Sequence, residues 1–152
     1  MALKVGYVVP NFQAKATNGE LFDSSSVIGT KPVVIYFYPK DDTPGCTQQA
    51  CTFRDKYQDF TDLGAVVIGV SGDSTASHEK FALKHKLPFT LLSDADKTLR
   101  NLFGVPTALF GLLPGRVTYV IDEKGVIRFI FDHLSGKIHI DKSLQFLKSI
   151  VK

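Results

Sequence analysis

Residues 32–46 read Pro32-Val33-Val34-Ile35-Tyr36-Phe37-Tyr38-Pro39-Lys40-Asp41-Asp42-Thr43-Pro44-Gly45-Cys46, and the change of pattern inside this stretch decides the fold. Residues 32–38 form an unbroken β-branched and aromatic run, as expected of a central strand buried on both faces. Thr43 then suits a helix N-cap and Pro44 the first helical position. A buried strand that runs into a capped helix opens an α/β unit, so a parallel sheet covered by helices is expected.

The same alternation continues outward. Residues 65–70 and 89–92 are further apolar runs, and residues 117–121 and 126–131 flank Asp122-Glu123-Lys124-Gly125 as an antiparallel hairpin. On the N-terminal side, Asn18-Gly19 between residues 12–16 and 20–22 predicts another hairpin. Helices are expected over residues 44–63, stopped by Gly64, and over 75–86, entered through Asp73 and Ser74. A third should start from a Ser93 cap and bury Leu99, Leu102 and Phe103; a last one should cover 141–151, with Leu144, Leu147 and Ile150 inward. The resulting order of strands and helices predicts a central mixed β-sheet with helices on both faces and an N-terminal β-hairpin. The strands at 32–38 and 65–70, joined through a helix, should be parallel. Residues 104–116 (GVPTALFGLLPGR) are the odd segment, rich in Gly and Pro yet apolar.

The chain has 152 residues, which suits one domain spanning 1–152. A hydrophobic share of 44% beside 22% charged residues argues against disorder. Eighteen basic against fifteen acidic side chains leave +3, with no basic stripe of the kind a nucleic-acid binder uses. The tightest basic cluster, Lys80, Lys84 and Lys86, shares its helix with Glu79 and reads as a solvated face. No apolar run approaches a membrane span, and no secretory signal pattern opens the chain.

Two cysteines, Cys46 and Cys51, exclude a disulfide-rich scaffold and a four-cysteine zinc module. Together with His78, His85, His133 and His139 they could number four ligands, but the spacing matches no zinc pattern. Free cysteines are commonly inert small hydrophobes. The position of Cys46 argues otherwise: it falls in the first turn of a helix that begins beyond the carboxyl end of a buried strand, where α/β sheets place their sites. Helix N-termini favour anions, and such a setting lowers thiol pKa values into the range of about 3.5–7.5. Cys46 shares a helix face with Ala50, Phe53, Tyr57 and Phe60, so its side chain should point inward. Residues five apart in a helix have Cα atoms roughly 8–9 Å apart, beyond the limit of about 7 Å for a disulfide. Cys46 and Cys51 therefore either never bond or bond only after the first turns unwind.

The run from Pro39 to Cys46 matches P-x-x-x-T-x-x-C, and with Phe37-Tyr38 before it and Thr47, Cys51 and Phe53-Arg54-Asp55 after it, it resembles the peroxiredoxin Q or bacterioferritin-comigratory-protein branch of the peroxiredoxins. The resemblance continues through Gly69-Val70-Ser71, Leu91-Leu92-Ser93-Asp94 and Gly115-Arg116-Val117-Thr118-Tyr119, nearly the whole chain. It implies a thioredoxin-like fold and thiol-dependent reduction of hydrogen peroxide and organic hydroperoxides. On that resemblance Cys46 would be the peroxidatic cysteine and Cys51 the resolving one, closing an intramolecular disulfide. Thr43 would hydrogen-bond the thiolate and the peroxide, Pro39 would shield the sulfur from water, and Arg116 would supply a cation beside it. No metal, haem or flavin is implied. The external reductant would be thioredoxin or a similar dithiol protein, and an intramolecular pair suits a monomer. Residues 104–110 with Leu112 and Leu113 would make an apolar collar or, equally, a packed connection. A cytoplasmic location is expected, with a mature chloroplast protein as the alternative.

Two other readings compete. A thioredoxin-like disulfide oxidoreductase would use C-x-x-C, whereas four residues separate these cysteines; Val105-Pro106-Thr107 also lies too far before its strand, whose entry holds Arg116. A thioredoxin-fold binding module would leave both thiols inert.

Overall fold

The computed structural model describes residues 2–17, 19–108 and 113–151. Its centre is the run singled out above: β3 (Val33–Phe37) is buried at every position. It pairs in parallel with β4 (Val66–Ser71) and antiparallel with β8 (Val117–Ile121). Beyond β4 lie β5 (Thr90–Ser93), β1 (Gln13–Ala16) and β2 (Leu21–Asp23), and beyond β8 lies β9 (Ile127–Asp132). The seven-stranded order is β2-β1-β5-β4-β3-β8-β9. Both expected hairpins are present; of the first turn, Gly19 is described and Asn18 lies outside the described residues.

Side chains alternate across the pleat, so β3 feeds two cores. Val33, Ile35 and Phe37 join Phe12, Leu99 and Phe103 on one face, while Val34, Tyr36 and Tyr38 join Cys46, Phe53, Phe60, Phe81 and Ile140 on the other. Helices α1 (Pro44–Asp55), α2 (Tyr57–Asp62), α3 (Thr75–His85) and α5 (Gly136–Ile150) cover the second face, and α4 (Thr98–Phe103) covers the first.

Three helix boundaries differ from expectation. The helix expected over 44–63 is interrupted at Lys56, where no Gly or Pro marks a break; Phe53 and Phe60 on either side still meet, with ring centroids 5.6 Å apart. Ser93 does not cap α4. It ends β5, and the Asp94 carboxylate, a stronger acceptor, takes the Leu99 and Arg100 N–H groups at 2.7 and 2.9 Å. Helix α5 begins at Gly136, five residues before the expected start. A Cβ at position 136 would lie 2.9 Å from the Gly45 carbonyl oxygen and 2.7 Å from Gln49 Cβ. Glycine is a poor helix former, so local pattern excluded it; close packing of α5 on α1 requires it.

Gly69 on β4 makes similar room for Tyr36. A Cβ there would meet Leu91 Cδ2 at 2.7 Å and the Tyr36 ring carbon Cζ at 2.9 Å, both in the packed interior. Gly69→Ala is expected to destabilise the fold by about 1–3 kcal/mol through overpacking. A thermal midpoint equal to that of the wild type would show that this contact is slack.

Candidate active site

Strands β3, β4 and β5 run parallel and deliver their carboxyl ends to one edge of the sheet. The loop 39–43 leaves that edge from β3 and enters α1. Pro44 opens the helix with its missing N–H where no donor is needed. Cys46 follows in the first turn, 2% exposed, its side chain on the face shared with Ala50 and Phe53. Cys51, partly exposed, lies in the same uninterrupted helix, and both thiols are free.

Arg116 reaches this thiol from 70 residues away. The segment before it folds back through a short antiparallel pair, β6 (Thr107–Ala108) with β7 (Leu113–Pro114), closed by a 2.6 Å bond from the Gly115 N–H to the Pro106 carbonyl. That hairpin puts Arg116 at the entry of β8. Its Nη2 donates to Cys46 Sγ at 3.5 Å, and its Nη1 donates to Gln49 Oε1 at 2.5 Å. Of the expected collar, residues 107, 108 and 113 lie in this strand pair, and residues 109–112, with Phe110 and Leu112, lie outside the described residues.

Gln49 is the residue that motif reading missed. It is completely buried, three positions after Cys46 and hence on the same helix face, and it holds the guanidinium that faces the sulfur. That spacing was the available signal. Its Nε2 has no hydrogen-bond partner among the described residues.

Behind Arg116 sits His139, fully buried on α5. Its Nε2 donates to the His133 carbonyl at 2.7 Å, so Nδ1 accepts from the Thr118 hydroxyl, also at 2.7 Å. Burial, with the Arg116 charge adding to it, pushes its pKa down to about 4. The imidazole is therefore neutral near pH 7, and the guanidinium is the cation at the sulfur. Tyr36, packed on Phe53 at 4.6 Å, has its phenol pKa pushed well up by burial, with the Cys46 thiol and Asp41 reinforcing the shift.

Thr43 occupies the N-cap position with extended backbone, but its side chain makes no capping bond. Its hydroxyl donates instead to the Lys40 carbonyl at 2.8 Å. A hydroxyl has one proton to donate, so in this arrangement Thr43 closes the loop on itself. Pro39 is half-buried at the start of the same loop. Thus Cys46 and Arg116 are in contact, Pro39 and Thr43 are carried on the adjoining loop, and Cys51 is held apart from Cys46 by the helix. Of the histidines named above as conceivable metal partners, His78 bonds to Asp41 and the Leu92 carbonyl, and His139 to Thr118 and the His133 carbonyl.

Known proteins resemble this chain over most of its length. The model of the AhpC/TSA family matches residues 5–130. The chain is 51% identical over 146 residues to the chloroplastic peroxiredoxin Q of Populus jackii, covering 95% of this chain and 68% of that one. The peroxidoxin BcpB of Mycobacterium tuberculosis superposes with a TM-score of 0.91 at 35% identity over 99% of both chains. The bacterioferritin comigratory protein of Xanthomonas campestris does so at 0.87 and 29% identity, over 99% of this chain and 98% of that one. The seven-stranded sheet and its helices are thereby the thioredoxin-like architecture of these proteins. With a buried thiol under an arginine at a helix start, and with relatives at this identity across nearly its whole length, the chain belongs to the AhpC/TSA family, as a peroxiredoxin of the Q type.

Proposed function

We propose that this thiol-dependent peroxidase works as one 152-residue domain through Cys46, with Cys51 as the resolving thiol. The observation that carries this reading is the 3.5 Å approach of the Arg116 guanidinium to the buried Cys46 sulfur in the first turn of α1. The Cys46 thiolate attacks the terminal oxygen of a hydroperoxide. The O–O bond breaks, and the departing alkoxide or hydroxide takes up a proton as alcohol or water. Arg116 and the free N–H groups of the helix start stabilise the oxygen charge as it develops. For Thr43 to contribute, its hydroxyl must leave the Lys40 carbonyl and turn to the sulfur or the peroxide. Pro39 borders the site and limits access of water.

Cys46 leaves this step as a sulfenic acid. The sulfur of Cys51 then attacks that of Cys46, an S–S bond forms and water departs. Both residues lie in the unbroken helix α1, so its first turns must unwind for this step. A dithiol protein, thioredoxin or one like it, restores both thiols by exchange through a mixed disulfide and is itself oxidised. No prosthetic group enters the cycle. An intramolecular pair needs no thiol from a second subunit, which supports a monomer. Organic hydroperoxides are included among the substrates: alkyl peroxide reduction is described for the Xanthomonas relative. The curated relatives are named chloroplastic, which favours a plastid over the cytoplasm.

Peroxide-treated wild type should lose two hydrogens by intact mass under non-reducing conditions, with a single Cys46–Cys51 peptide after digestion. Cys51→Ser should instead accumulate a sulfenic acid that dimedone traps. Two persistent free thiols in treated wild type would remove Cys51 from the resolving role.

A further inference from the structure

The loop 39–43 carries Pro39 and Thr43, yet its firmest attachments are to α3 rather than to α1. Asp41 lies between the exposed residues Lys40 and Asp42, but its own side chain is 3% exposed. Its carboxylate accepts from Tyr38 Oη at 2.5 Å and Ser77 Oγ at 2.9 Å, and it lies 2.6 Å from His78 Nδ1. The Leu92 carbonyl can only accept, so His78 Nε2 donates to it at 2.9 Å, and Nδ1 shares one proton with Asp41. His78 is completely buried. One imidazole thus ties the loop, α3 and β5 together.

The backbone is held as well. The Asp41 N–H donates to Asp73 Oδ2 at 2.8 Å, and Asp73 is fixed by Ser71 Oγ at 2.6 Å and by Ser93 Oγ on its carbonyl at 2.7 Å. Asp42 adopts φ +59°. Asp tolerates this left-handed conformation better than most non-glycine residues. Its carboxylate meets Lys84 of the same α3 at 3.0 Å on the exposed surface. None of the side-chain partners of Asp41 or Asp42 among the described residues comes from α1.

A buried carboxylate–imidazole contact is weak evidence for stability, because apolar groups of similar volume can replace such buried polar pairs without loss. A carboxylate with this many donors is better explained by geometry. The ligand atoms of Asp41, Asp73 and His78 lie within 4.8 Å of one another, but hydrogen bonds already occupy both His78 nitrogens, which makes the cluster a clamp rather than a metal site.

We propose that Asp41 and His78 are positioning residues for peroxide reduction: they clamp the loop 39–43 to α3, and so hold Pro39 and Thr43 in place at the peroxide site, alongside α1's own first hydrogen bond to the Thr43 carbonyl. This rests on Cys46 being the peroxide-reducing thiol. The clamp shapes the site for the hydroperoxide and leaves the sulfur's own nucleophilicity to Arg116 and the helix start.

Two second-order rates on Cys46 of the full chain separate these effects. One is with hydrogen peroxide; the other is with iodoacetamide, whose carbon the same sulfur attacks, displacing iodide, without needing the peroxide geometry, and is read on the Cys46 peptide by mass spectrometry. Asp41→Asn should slow the peroxide reaction roughly tenfold or more, since misplacement by about 1 Å can cost up to a hundredfold. Its alkylation rate should stay within about twofold of wild type by the same reasoning. Ser77→Ala, which removes one donor and no charge, should shift the same ratio in the same direction by less. An unchanged peroxide rate in Asp41→Asn overturns the proposal, as does a parallel fall of both rates. Should Asp41→Asn fail to fold, Ser77→Ala decides: an unchanged ratio overturns the clamp. If Cys46→Ser retains turnover, the reading of Cys46 itself fails, whatever the clamp variants do.

Discussion

Cys46→Ser should abolish hydroperoxide turnover, with a loss of at least about a thousandfold in an assay driven by dithiothreitol or thioredoxin. The substitution changes one atom. Serine fits the volume left by the buried thiol and stays beside Arg116 and Gln49. Its hydroxyl does not ionise in the range where a thiol does, and only the thiolate attacks the peroxide oxygen. Burying a hydroxyl where a thiol stood costs stability on the order of 1–3 kcal/mol at most, and less if Arg116 donates to it. The variant should therefore fold and be silent. Retained turnover in a folded Cys46→Ser protein would transfer the chemistry to Cys51, which is more exposed.

Arg116→Met should lower the second-order rate with hydroperoxide by roughly a hundredfold to a thousandfold, the range for loss of one donor aimed at a developing oxyanion. The guanidinium works in two directions at once, toward the sulfur at 3.5 Å and toward Gln49 Oε1 at 2.5 Å. Methionine keeps the length and packing of the side chain but donates nothing. It also leaves a fully buried glutamine without its hydrogen bond, which should reduce stability by about 1–3 kcal/mol. Arg116→Lys should restore only part of the rate, because an ammonium cannot present two parallel N–H groups to sulfur and amide together. Stopped-flow measurement of sulfenic acid formation separates this loss from any effect on the disulfide step. A rate within about threefold of wild type in Arg116→Met would mean that the helix start alone activates the thiol.

The two predictions differ in how their residues could be found. Cys46 was legible because everything that places it is local: a buried strand, a loop, Pro44 at the helix start and an inward face set by helical spacing. Arg116 was named only through resemblance. No local pattern joins a residue before β8 to the first turn of α1; the antiparallel pairing of β3 with β8 brings them together. Gln49 stood on the legible face of α1, but its partner was invisible without that pairing. Thr43 shows the opposite case. Its position favoured a capping bond, and the loop geometry turned its hydroxyl to Lys40 instead.

The same division holds for the architecture. Hydrophobic periodicity, with the turn residues and the helical crossover, determined the β3–α1 unit, the chain order of the seven strands of the main sheet, both hairpins and the parallel pairing of β3 with β4, because side-chain burial follows the pleat and the helical turn directly; the short β6–β7 pair was not among these. The break at Lys56 and the Asp94 cap on α4 are local, but no Gly or Pro marks the first, and the second turned on which of two adjacent acceptors, Ser93 or Asp94, met the helix N–H groups. Tertiary packing decided the start of α5 at Gly136, which depends on the Gly45 carbonyl and Gln49 far back in the chain, and the unequal covering of the two sheet faces. The Asp41–His78 contact is tertiary as well. The motif contained the aspartate, but only the parallel sheet, by setting the ends of β3, β4 and β5 side by side, placed a histidine 37 residues away against it.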